Sequence, residues 1–234
     1  MLNITRSADR YNLKTDWLDA KWHFSFGNYY DSQNVQFGPL RVFNNDVIQP
    51  GQGFPMHPHR DMEIVTYVLD GELEHRDSTG GQGTIRAGEV QRMSAGAGVR
   101  HSEFNASSKN TVELVQIWVL PQKTGVQPSY EQKRFTQAER TGKWLPIVSP
   151  TVEGEAVFIG QDATFYVSRL ESGQSAAHDL APGRQAYVFV ADGEVALNGE
   201  RLLKGDSVKA GGIDRLTFVS NSSEAAELLM IDLP

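Results

Sequence analysis

Apolar and polar positions along this chain alternate in short bursts, with no sustained helical spacing. LRVFNNDVI (Leu40–Ile48), EIVTYVLD (Glu63–Asp70), ELVQIWVL (Glu113–Leu120), AYVFVADG (Ala186–Gly193) and ELLMIDL (Glu227–Leu233) are rich in Val, Ile, Tyr or Phe and are bounded by Gly, Asp, Asn or Pro. β-branched and aromatic side chains fit a pleated, half-buried surface, so these runs read as strands. Many short strands at close spacing predict an all-β architecture of sandwich or barrel type. Only short helices are expected, one around Thr136–Arg140 and one near the start of the chain.

The pattern breaks between Pro121 and Pro150, where PQKTGVQPSYEQKRFTQAERTGKWLPIVSP carries four prolines and no steady period. This stretch reads as a crossing between two domains, 1–135 and 136–234. An internal repeat supports the division. VLDGEL (Val68–Leu73) is followed by AGEV around Gly88, and VADGEV (Val190–Val195) is followed by KGDS around Gly205. Both read as strand, Asp-Gly turn, strand, Gly-acidic turn, strand, with the glycines supplying the positive φ that such turns need. Two copies of one small β-barrel are the expectation.

Composition narrows the chemistry. Of 234 residues, 39% are apolar and 22% charged, too apolar for a disordered chain. No apolar run approaches the roughly 18 residues of a membrane span, and MLNITRSADRYN has no signal-peptide core; a cytoplasmic location and no membrane partner are expected. The net charge of -7 argues against direct nucleic-acid binding. With no cysteine there is no disulfide framework, thiolate site or thiol nucleophile. Chemistry must come from His and carboxylates, with or without a metal.

Two pairs of such residues stand out. His57 and His59 flank Pro58, and His101 and Glu103 flank Ser102. Residues i and i+2 of a strand share a face, so each pair presents two ligands on one side. If both sides face a barrel interior, three imidazoles and a carboxylate meet. Such a set suits a divalent first-row metal (Fe, Mn, Ni, Co, Cu or Zn) rather than magnesium or calcium. The lone His23 and His178 are read as ordinary structural histidines; His75, in LEHRDS, is read as a structural residue flanking a turn, with a place behind the ligands as its alternative. The Gly-rich pieces SAGAG and STGGQG open no long helix, so phosphate binding is not expected there.

GQGFPMHPHRDMEIVTYVLDG (Gly51–Gly71) resembles the first cupin motif, with one extra residue before its last glycine. GEVQRMSAGAGVRHSEFN (Gly88–Asn105) resembles the second, with Ser94 in place of proline and two extra residues before His101. More narrowly, FSFGNYYD, FGPLRVFNNDVIQPGQGF, HPHRDMEIVTYVLDGELEHRDSTG and QRMSAGAGVRHSEFN resemble the pirin family of bicupins across essentially the whole N-terminal half. The C-terminal half matches only as a generic second cupin. In many cupins the carboxylate ligand follows the H-x-H pair, which here would be Glu63; the resemblance to pirins implies instead a bicupin whose metal ligands are His57, His59, His101 and Glu103, with Glu63 left a structural role or a place behind the ligands. It also implies one metal, iron(II) foremost, and activity like that of quercetin 2,3-dioxygenases. A phenolic small molecule and O2 would then be the substrates, with Glu103 as ligand and catalytic base. Pirin relatives also include metal-dependent transcriptional cofactors, so the alternative is a non-enzymatic metal-binding cofactor or redox sensor with a protein partner. In the second domain His178 is the only imidazole near the equivalent site and Phe218 stands where His101 would, so that domain is expected to be metal-free. Phe26, Phe54 and Met93 are candidates for an aromatic pocket.

Overall fold

The computed structural model of the protein describes residues 1–151 and 155–234. The described chain is built from antiparallel strands, with a 3-10 turn at Ser7–Asp9 and one short α-helix, Gln137–Arg140. Thr136 opens that helix with a capping box, Glu139 Oε2 accepting from the Thr136 backbone N–H at 2.6 Å. Among the described residues no helix is long and apolar enough to cross a membrane.

Two compact units divide the chain. The N-terminal unit holds Tyr11–Arg134 and Val157–Gln161; the C-terminal unit holds Met1–Arg10, Phe135–Ala156 and Asp162–Pro234. The passage from one to the other lies between Arg134 and Phe135, next to the boundary read from the sequence. That reading gave each domain one continuous stretch and missed two exchanged segments. Leu2–Thr5 pairs with Ser207–Gly211 as an edge strand, and Arg6 donates to Asp206 at 2.7 Å. Pairing across 200 residues leaves no mark on local periodicity.

In the N-terminal unit a larger sheet runs in the order Ser129–Arg134, Glu89–Ser94, Glu63–Asp70, Val112–Val119, Leu40–Ile48, Leu18–Trp22, Tyr11–Lys14. Facing it is a four-stranded sheet in the order Gly53–His59, Val99–Asn105, Glu72–Asp77, Gln82–Arg86. The C-terminal unit repeats this plan. Its small sheet runs Ser175–Asp179, Arg215–Val219, Glu194–Leu197, Glu200–Leu203, the same succession of elements. Gly71 and Gly193, at equivalent corners, have φ of 79° and 73°. A Cβ on either would lie 2.6 Å from the carbonyl oxygen of Thr111 or 2.5 Å from that of Ala225. The Asp-Gly repeat in the sequence is thus a matched pair of tight corners, closed against a neighbouring strand in both copies.

The interiors differ. The C-terminal unit is filled with apolar groups such as Val188, Leu197, Leu216, Phe218, Leu228 and Met230. The N-terminal unit has apolar clusters around Leu73 and Ile85 and around Ile64 and Met93. It also buries Asn44, Thr66 and Gln91, and Gln116 stands between the first two in register. Thr66 in turn pairs across from Gln91. Directly paired residues of an antiparallel ladder share a face, so these four form a polar row across four strands.

Asp46 lies two residues from Asn44, on the same face, with its Oδ1 buried and unpartnered. Burial, followed by the negative charge of Glu103, raises its pKa to about 7. Its folded pKa exceeds the unfolded value of 3.8, so its favourable contribution is complete below that value and is lost as pH rises through 7. Each tenfold change in proton affinity corresponds to about 1.4 kcal/mol. Asp46→Asn is therefore expected to gain melting temperature relative to wild type between pH 5 and pH 8. A constant difference across that range would remove Asp46 as the titrating group.

Candidate metal centre

The strands Gly53–His59 and Val99–Asn105 run antiparallel side by side, His101 across from His57 and Val99 across from His59. Their backbones close tightly at one end, where a Cβ on Gly53 would stand 2.2 Å from the Glu103 carbonyl oxygen. Along Val99–Asn105 every second residue is buried, among them His101 and Glu103. This pairing turns two i, i+2 motifs into one cluster. Ring centroids of His57 and His59, His57 and His101, and His59 and His101 are 4.8, 4.5 and 4.8 Å apart. One nitrogen from each lies within 4.8 Å of the others.

The nitrogens are arranged for ligation. His57 Nδ1 lies 2.8 Å from the Pro55 carbonyl oxygen, so Nδ1–H donates there and the Nε2 lone pair is left free. His101 is fully buried and its Nε2 has no hydrogen-bond partner. Burial, with the neighbouring His57 and His75, lowers the His101 pKa to about 3. Burial, with His101 and His57, lowers that of His59 to about 4. Both rings are neutral at pH 7, the form that binds metal. An orphaned buried lone pair costs about 1–3 kcal/mol, and a cation held jointly with two further imidazoles satisfies it.

Glu103 stands apart from part of this set. Its carboxylate forms a second group with His75 and His101, the ligand atoms of the three within 4.8 Å of one another, and its charge acts on His59. The register shifts between His101 and Glu103, placing Phe54 across from Glu103. Its Oε1 accepts from Gln91 Nε2 at 2.8 Å and Thr66 Oγ1 at 3.3 Å, and its Oε2 accepts from Gln116 Nε2 at 2.5 Å. Trp118 Nε1 donates in turn to Gln116 Oε1 at 3.3 Å. The polar row of the large sheet thus orients the one carboxylate of the expected set. Glu63 is buried and accepts from Ser94 Oγ at 2.8 Å, away from the imidazoles.

Trp118, which the sequence did not single out, packs edge-on against His59 at 4.8 Å, and Phe26, one of the three expected pocket residues, packs behind it against Trp118 at 5.3 Å. Phe54 lies 6.5 Å from His57. Met93 belongs to the core with Ile64, Ala95 and Val99. His75, read as a structural residue flanking a turn, is fully buried between Asp77 and His101. An H-x-D pair on one strand, and a glutamine inside the apolar run ELVQIWVL, were the available signals. In the C-terminal unit Ala176 pairs with Phe218 and His178 with Leu216, as His57 does with His101 and His59 with Val99. His178 therefore takes the place of His59, and its Nε2 lies 2.8 Å from Asp232.

Residues 4–119 match the Pirin family and residues 146–233 the quercetinase C-terminal cupin domain. The chain is 40% identical to a quercetin 2,3-dioxygenase of Escherichia coli K12 over 235 residues, covering 100% of this chain and 99% of the relative. It is 42% identical over 217 residues to a pirin-like protein of Caulobacter vibrioides, 92% of each chain. The structure of the bacterial pirin YhhW from E. coli in complex with nickel(II) superposes with a TM-score of 0.94 at 38% identity, covering 100% of this chain and 99% of YhhW. With its duplicated two-sheet units and whole-length relatives, the chain belongs to the pirin family of bicupins.

Proposed function

We propose that this pirin is a metal-dependent dioxygenase that opens a flavonol such as quercetin, or a related enol, with O2. His57, His59, His101 and Glu103 hold its metal in this reading. The observation that carries it is the meeting of three imidazoles, one nitrogen of each within 4.8 Å of the others, together with a buried His101 Nε2 that has no hydrogen-bond partner. The E. coli relative named quercetin 2,3-dioxygenase and the nickel(II) complex of YhhW supply the reaction class and a precedent for a divalent ion. Iron(II) is our first assignment, and nickel(II) is the second ion to test.

A divalent cation lowers the pKa of a hydroxyl bound to it and stabilises the oxyanion. The protein's part is to bind, orient and move a proton. Trp118 and Phe26 offer aromatic surface to a flat phenolic ring beside His59. Glu103, steered by Gln91, Thr66 and Gln116, takes the proton of the substrate hydroxyl on a carboxylate oxygen. A base positioned in this way contributes about 10²–10⁴-fold to rate.

Reconstitution without oxygen, using iron(II) or nickel(II), followed by quercetin and O2, is expected to release carbon monoxide as quercetin is consumed. His57→Ala and His101→Ala are expected to lose both the metal and that product. Stoichiometric metal with no loss of quercetin would sink the flavonol assignment. Glu103→Gln is expected to keep the fold, weaken metal binding and lower kcat by about 10²–10⁴-fold. Full turnover in that variant would show that the proton goes elsewhere.

A further inference from the structure

His75 and Asp77 lie on the strand Glu72–Asp77, which pairs with Val99–Asn105 so that Asp77 faces His101 and His75 faces Glu103. Both side chains are sealed from solvent, with 0% and 1% exposure. Asp77 Oδ2 lies 3.1 Å from His75 Nε2. Asp77 Oδ1 accepts from Thr79 N at 2.8 Å, Thr79 Oγ1 at 2.7 Å and Gly81 N at 2.9 Å. A Cβ on Gly81 would fall 2.2 Å from Asp77 Oδ2, so the loop closes on the carboxylate only because that residue is glycine. The His75 ring is held by stacking on Tyr130, centroids 4.7 Å apart and planes 21° from parallel. Its other nitrogen, Nδ1, lies 3.5 Å from His101 Nδ1, at the outer limit of a hydrogen bond.

We propose that Asp77 and His75 fix the tautomer of His101 and thereby aim its Nε2 lone pair at the imidazole cluster. The polarity follows from the acceptor at the far end. Asp77 can only accept, so His75 carries its hydrogen on Nε2. With one N–H on the ring, His75 Nδ1 holds a lone pair and accepts from His101 Nδ1–H; a His75 donating from both nitrogens would instead leave the His101 hydrogen on Nε2, the outcome that overturns the proposal below. His101 Nε2 is then bare, which is the atom the structure leaves buried and unpartnered. His57 reaches the same state through the Pro55 carbonyl; His101 reaches it through a second imidazole and a carboxylate. His75 is thus a positioning residue for the metal, and this role rests on the metal reading above.

The decisive variant is Asp77→Asn. Three donors converge on Oδ1, so the amide oxygen takes that place and the NH2 turns toward His75 Nε2. The chain of donors reverses and the proton of His101 moves to Nε2. In the metal-free protein, long-range 15N–1H correlation of the histidine rings is expected to show His101 as Nδ1–H in wild type and as Nε2–H in Asp77→Asn and His75→Leu. His75→Asn, whose Oδ1 stands near the place of Nδ1, is expected to restore Nδ1–H. Nickel(II) affinity measured by calorimetry at fixed pH is expected to fall about 10–100-fold in Asp77→Asn and His75→Leu, and to recover in His75→Asn. Nε2–H in wild-type His101, or Nδ1–H retained in Asp77→Asn, overturns the proposal; if His75→Leu fails to fold, the near-isosteric Asp77→Asn still decides it. Wild-type protein that binds no nickel(II) or iron(II) would fell the metal reading, while the tautomers of the metal-free rings would still decide the relay.

Discussion

The pairing of Gly53–His59 with Val99–Asn105 is the contact on which the site depends. It sets His101 opposite His57, and strand parity then brings His59 to the same side. A slip of one residue between the two strands would leave His57 and His59 on the face opposite His101. The register is held by burial of Val99, His101, Glu103 and Asn105 on one side and by the close approach at Gly53. Asn105 adds a further anchor, its Nδ2 donating to the Ile48 and Asn110 carbonyl oxygens at 2.9 Å each. Hydrogen-bonded ladders of this kind place side chains more firmly than loops could.

What faces that pair from the large sheet is unusual for a β-sandwich core. Thr66, Gln91 and Gln116 each donate to Glu103, joining the two sheets by hydrogen bonds where apolar packing would ordinarily do so. Buried polar groups are tolerable when satisfied and costly when not. This row is satisfied only in part: Asn44 Oδ1 and Gln91 Oε1, and Asp46 Oδ1 beside the row, have no hydrogen-bond partner. The C-terminal unit shows the alternative filling of the same frame, with Ala176 and Phe218 paired where His57 and His101 pair in the other copy. One architecture thus serves as an apolar shell in one half and as a polar chamber in the other.

The parts of this arrangement legible from the sequence were those governed by short-range rules. Period-2 alternation gave the strands, Asp-Gly gave the corners at Gly71 and Gly193, and i, i+2 spacing put His57 with His59. Tertiary contacts supplied what local pattern could not. Exchange of Leu2–Thr5 into the C-terminal unit depends on an edge 200 residues away. The company kept by Glu103 depends on a register shift and on three donors from separate strands. His75 read as a structural residue flanking a turn because only the pairing of Glu72–Asp77 with Val99–Asn105 brings it next to His101.

The partners of the imidazoles explain why the three are not equivalent. His57 is oriented by a carbonyl two residues away on its own strand, a constraint that survives wherever that strand goes. His101 is oriented through His75, which is itself oriented by a carboxylate wrapped by the loop at Thr79 and Gly81. His59 has an aromatic wall, Trp118, whose indole N–H leads through Gln116 to Glu103. Each ring therefore reports to a different element: its own strand, the neighbouring hairpin and the large sheet. Outer partners of metal-binding histidines tune ligand basicity as well as direction. A substitution in any of these supports acts first on the ring it holds, and one in the large sheet acts on Glu103 as well, while the backbone pairing stays constant.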